Sequence, residues 1–143
     1  MAMREILFRG KWTRNGKWIE GFYARIHDGK GNVSHRIYSG WAESDCGDFY
    51  PECFEVDPAT ASQYTGLTDK NGKKIFEGDI VKFTRINALG YTTRRTGDVR
   101  YYDKLPVFYI KATTGDAWDW CDCEAIEIIG NIHDNPELLE DGE

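Results

Sequence analysis

Several absences bound what this chain can be. No apolar run approaches the roughly 18 residues that a membrane-crossing helix needs. Arg4 and Glu5 interrupt the start, where a secretory signal would carry its apolar stretch. The expectation is a soluble, cytoplasmic protein with no membrane partner. Histidine is scarce: His27, His35 and His133 are the three, and none stands in H-E-x-x-H or H-x-H spacing or beside a nucleophile motif. They read as solvated or hydrogen-bonded structural residues. The four cysteines, Cys46, Cys53, Cys121 and Cys123, are spaced C-x6-C and C-x-C rather than in the C-x-x-C pairs usual for structural zinc. They read as reduced, partly buried thiols, so neither metal nor cofactor is expected.

Basic residues are absent from one whole segment. Residues 113–143 hold no Lys or Arg against 10 Asp/Glu, whereas residues 58–112 hold 10 Lys/Arg against 5 Asp/Glu. Residues 1–57 are close to balanced, at 8 against 9, and the total is −6. A basic middle and an acidic end can neutralise each other or serve different partners.

What the chain does have is aromatic residues and turns. Aromatics make up 14% and all hydrophobic residues 41%, enough for a core of strands, and 15 glycines are spread along the whole length. Strand patterns recur about every ten residues with turn signals between them, which argues for barrel or sandwich rather than βαβ units. Asn15-Gly16 and Asn71-Gly72 each suit a tight hairpin turn with both central residues at positive φ. Ile80 to Arg85 alternates, with Ile80, Lys82 and Thr84 on one face and Val81 and Phe83 on the other. Residues 40–58 read as an irregular crossing segment bracketed by Pro51 and Pro58, and residues 87–97 as a polar loop. The natural division is an N-terminal β subdomain over 1–57 and a second over 58–143, standing apart or forming one compact unit. Asn135, Pro136 and Glu137 have the chemistry of a helix start, so one short helix is expected to close the chain.

Three blocks carry a family resemblance. They are residues 3–23, the dense stretch 63–82 (QYTGLTDKNGKKIFEGDIVK), and residues 128–140. With these at start, middle and end, the chain resembles the YopX family of small bacteriophage and prophage proteins. The resemblance implies a mainly β protein of antiparallel strands with a small Src-homology-three-like barrel, in the cytoplasm of a bacterial host cell. It implies no assigned activity and supplies no active-site residues. Residues 28–57 and 118–123 depart from the shared pattern, so features special to this member are expected there.

Candidate chemistry is sparse. Asp69, Glu77 and Asp79 cluster in the central block, where paired carboxylates can do acid–base work. Each also has a plain structural role beside a turn. Gly72 and Gly78 precede no helix pattern and form no phosphate cradle. The strongest binding signal is the excursion 82–100, where Lys82, Arg85, Arg94, Arg95 and Arg100 stand against the lone Asp98, with Phe83 and Tyr91 interleaved. Basic and aromatic side chains together are what single-stranded nucleic acid uses. The competing reading has these charges answering the acidic end. The expectation is therefore a non-catalytic module that contacts a protein partner or a second copy of itself. A nucleic-acid binder using Lys82, Arg85, Tyr91, Arg94, Arg95 and Arg100 is the alternative.

Overall fold

The computed structural model describes residues 4–140, and every structural statement below concerns those residues. The chain divides into two units, residues 1–64 and residues 65–143.

The first unit is built from β1 (Phe8–Lys11), β2 (Trp18–His27), β3 (Val33–Glu43), β4 (Phe49–Glu55) and the start of β5 (Ser62–Thr68). Its strands lie side by side in the order β4-β3-β2-β1-β5, each antiparallel to its neighbour where the register is defined. Ile37 and Val56 are its fully buried aliphatics. Gly21 allows the strands to close over them: a Cβ there would sit 2.2 Å from the Tyr38 carbonyl oxygen. A side chain at Gly21 would therefore force the β2–β3 ladder apart. Trp12, bridged to Val56, packs edge-on to Phe54 at 4.9 Å.

The segment 40–58 corrects the expectation of an irregular crossing. β3 runs on to Glu43, turns over Ser44–Asp48 and returns as β4. A bulge hides this hairpin in the sequence. Tyr38 pairs with Cys53 and Gly40 with Glu52, so one extra residue sits in β3 and the alternation changes phase.

The second unit holds the rest of β5, then β6 (Lys74–Phe76), β7 (Asp79–Ile86), β8 (Thr92–Tyr102), β9 (Val107–Ala112), β10 (Ala117–Trp118) and β11 (Glu124–Asn131). Five of these form a sheet in the order β10-β9-β8-β7-β11. Its core gathers Ile75, Val81, Phe83, Val99, Ile110, Ala112 and Cys123. Ile80 is also fully buried, although it alternates onto the face of Lys82.

Four further expectations are corrected, all but the Asn15-Gly16 turn within this unit. The sheet is open, because β10 and β11 lie at opposite ends of it and do not pair, so no Src-homology-three-like barrel is formed. Closure needs the two end strands to join, and β10 has only two residues with which to do so. The closing helix is absent as well: Pro136–Leu139 makes one 3-10 turn. Asn135 gives it no side-chain cap, and its Oδ1 instead accepts from the Asn131 backbone N–H at 3.3 Å. Four residues with no cap are too few to sustain an α-helix. The stretch 87–97 is mostly strand. Only Asn87–Tyr91 turn, with Asn87 Oδ1 accepting from Leu89 and Tyr91 N–H, and β8 starts at Thr92. At the two Asn-Gly turns only the glycines are left-handed, Gly16 at φ 71° and Gly72 at φ 82°. At the second of these turns the Asp69 carboxylate accepts from the Asn71 and Lys73 backbone N–H groups.

Candidate interaction surfaces

Two carboxylates of the central block, Asp69 and Asp79, are consumed by the fold. Asp69 is buried, and its Oδ1 accepts from Asn71 N–H at 2.8 Å and Lys73 N–H at 2.9 Å. Its Oδ2 accepts from Ile128 N–H at 3.1 Å. Burial alone would push its pKa up, but the donors of Ile128, Lys73 and Asn71 together with the Lys73 charge hold it below the usual carboxylate value. Asp79 is likewise buried and accepts from Phe76 N–H at 2.8 Å. Neither carboxylate faces an open cleft as an acid–base group would.

Cys46 and Cys53 belong to the first unit, Cys121 and Cys123 to the second, and all are free. Burial, with lesser help from Asp122 and Cys121, pushes the Cys123 thiol up to about 11. Asp119, Cys121 and Asp122 approach one another, but all three are exposed. Among the histidines, His35 Nδ1 is hydrogen-bonded to the Tyr23 hydroxyl and His27 is exposed. His133 is half-buried at the turn that follows β11.

The basic excursion is a hairpin, and β alternation distributes its side chains. Lys82 pairs with Thr96 and Thr84 with Arg94, so Lys82, Arg94 and Arg100 share one face of β7 and β8. Arg85 and Arg95 alternate onto the opposite face with Val81 and Phe83. There the Arg85 guanidinium lies 3.7 Å from the Trp118 ring centre, closing the end of the core. Phe83 is itself core and offers no ring to a ligand. Tyr91 is exposed beside the Asn87–Tyr91 turn. The six residues thus fall into three places.

Acidic groups answer part of this charge. Glu127 of β11 meets Lys70 at 3.0 Å and Arg94 at 3.8 Å. Arg100 Nε donates to the buried Asp98 at 2.7 Å. On the same sheet face, Tyr102, Val107, Tyr109, Lys111 and Ala117 line a groove of about 310 Å³.

The most exposed aromatic surface lies in the first unit, on a face that simple strand alternation does not bring together. Tyr38 pairs with Phe22 on one side and Cys53 on the other, while Trp41 pairs with Pro51 and Glu43 with Phe49. In a regular strand Tyr38 and Trp41 would point to opposite faces; the bulge between them puts both on one. Phe22 is 68% exposed, Trp41 71% and Phe49 70%. Three large aromatics at that exposure on neighbouring strands form a patch of the kind that marks interaction sites. The signal that could have found it was the spacing of Tyr38, Trp41, Phe49 and Pro51 around the Ser44–Asp48 turn, read with a one-residue phase change.

Comparison with known proteins places the chain. The family model described as YopX protein matches residues 7–140, nearly the whole length. The chain belongs to the YopX family. It is also similar to a crystal structure of protein EF1440 from Enterococcus faecalis, at 25% identity and a TM-score of 0.60, over 96% of this chain and 99% of that one. No curated protein matches it. Within this YopX family chain, the exposed aromatic face falls inside residues 28–57, apart from Phe22. That region lies between the first two of the three blocks that carry the resemblance.

Proposed function

We propose that this YopX family protein is a phage- or prophage-associated accessory protein that acts without catalysis, as a protein-interaction module in the cytoplasm of the bacterial host. The observation that carries the reading is the aromatic face of Phe22, Trp41 and Phe49. Leaving such rings in water forgoes roughly 1.5–3 kcal/mol of burial for each. A partner that covers them recovers that energy, which makes them natural anchors of an interface. Asp69 and Asp79 of the central block support the non-catalytic reading, since they are tied to backbone N–H groups. The phage setting is supported by the family.

A photo-crosslinking residue placed at Trp41 or Phe49 tests this in producing cells. Discrete protein adducts from these positions, absent from a control at Lys104, are expected. No adduct from either position would overturn the reading.

A second reading, nucleic-acid binding, is favoured by one observation: Lys82, Arg94 and Arg100 share a sheet face with Tyr102 and Tyr109. A gel shift with single-stranded DNA that weakens steeply with salt would support it. Unchanged mobility at low salt would reject it.

A further inference from the structure

We infer that the aromatic face of the first unit recognises a basic, arginine- or lysine-rich protein segment; this rests on the interaction reading above and specifies its partner. The charge around the rings selects such a partner. Glu43 stands opposite Phe49 and shares the face of Trp41, and Glu20 shares the face of Phe22. Asp45 and Asp48 are exposed on the turn that closes the same hairpin. Three cations lie on this face: Arg9 and Arg36 each have an acid opposite, and Lys11 stands opposite Trp18 at the far end from Trp41. Arg36 is paired across the strands with Glu55 and donates to Cys53 Sγ at 3.5 Å, and Arg9 stands opposite Glu20. The rings at the Trp41 end are therefore bordered by carboxylates. That arrangement attracts cations to aromatic faces and repels phosphate.

The same sheet face already contains such contacts at its other end. Arg9 lies 4.6 Å and Lys11 5.4 Å from the Trp18 ring centre. Trp18 is thus covered by the chain's own cations, and Trp41 and Phe49 are the uncovered counterparts. A strand added at the sheet's edge is a poorer mode of docking. β4 is the edge strand, and Pro51 within it lacks an N–H to donate. The partner's side chains would instead lie across the face, with guanidinium or ammonium groups over the rings and Glu43, Asp45 and Asp48 as counter-ions.

The test uses the full chain and a synthetic Arg-Gly repeat peptide, with a Glu-Gly repeat of equal length as control. Amide NMR shifts on titration should concentrate on Phe22, Trp41, Glu43 and Phe49, and the acidic peptide should cause none. Binding should weaken with salt, and by about tenfold in a Trp41→Ala/Phe49→Ser double variant. Charge reversal by Glu43→Lys/Asp45→Lys/Asp48→Lys should weaken it similarly while leaving the rings in place. Both variants change exposed residues, and unaltered circular dichroism will confirm that they fold. Shifts confined to other surfaces, or equal affinity after charge reversal, would overturn the inference. So would binding of a single-stranded oligonucleotide at these rings, or a concentration-dependent dimer through them. If crosslinking from Trp41 yields protein adducts while the basic peptide does not bind, the interaction reading stands and only the basic partner falls.

Discussion

The Asp69 carboxylate accepts a hydrogen bond from the backbone N–H of Ile128, 59 residues away, at 3.1 Å. Its other oxygen organises the Asn71-Gly72 turn, so one side chain ties that turn to β11. Asp69→Ala should leave three backbone donors without this acceptor and cost roughly 1–3 kcal/mol, read from urea unfolding. The sign of the pH dependence follows from the lowered pKa. The stabilisation is present above the unfolded-state value, about 3.9, and is lost as pH falls through the lower folded-state value. Stability measured from pH 6 down to pH 2 should therefore fall more steeply below pH 4 in the native protein than in Asp69→Ala. Parallel curves would show that the carboxylate is not the group responsible.

Gly72 has open space around it but sits at φ 82°. Gly72→Val should therefore destabilise through backbone strain alone, by more than about 1 kcal/mol, since a β-branched residue is costly there. An unchanged melting temperature would mean that the turn relaxes to another type.

The thiols should separate by reactivity. Exposed Cys46 and Cys121 should react with a thiol reagent at neutral pH, and buried Cys123 only on unfolding. Because the Cys123 pKa is raised from 9.0 to about 11, the neutral thiol's contribution is intact below pH 9 and is lost as pH rises toward 11. Changing all four cysteines to Ser should leave a folded protein and remove that alkaline loss. Collapse of the fold would show a structural role for the thiols beyond packing.

Glu127 is the carboxylate that meets both Lys70 and Arg94. Both pairs are largely exposed, so Glu127→Gln should cost less than about 1 kcal/mol of stability. It should, however, free positive potential on the face of Lys82 and Arg100. If that face binds nucleic acid, affinity at low salt should rise in the variant and fall again with added salt. Amides at Glu137 and Glu140 should do less, because Arg94 meets Glu127 within β11 rather than an acid beyond Asn131. The reverse ranking would place the neutralising charge in the terminal segment.

The sequence by itself determined the family, the β class and most strand positions. Turn chemistry and period-2 alternation are local properties, and β2, β7, β9 and β11 announce themselves within a few residues. It also determined that Asp69 would serve a turn, since an Asp two residues before Asn-Gly has backbone donors within reach. Tertiary structure alone decided the remainder. A bulge of one residue between Tyr38 and Gly40 moved Trp41 onto the face of Phe22 and Tyr38, and phase shifts of that kind leave no composition signal. Whether the five-stranded sheet closed depended on its end strands meeting, which no local pattern encodes. The basic excursion looked like one patch because its residues are neighbours in sequence. Pairing into a hairpin sent Arg85 to Trp118 and Arg94 to Glu127, because a strand sends alternate side chains to opposite faces and the cross-strand partners decide which charges are met.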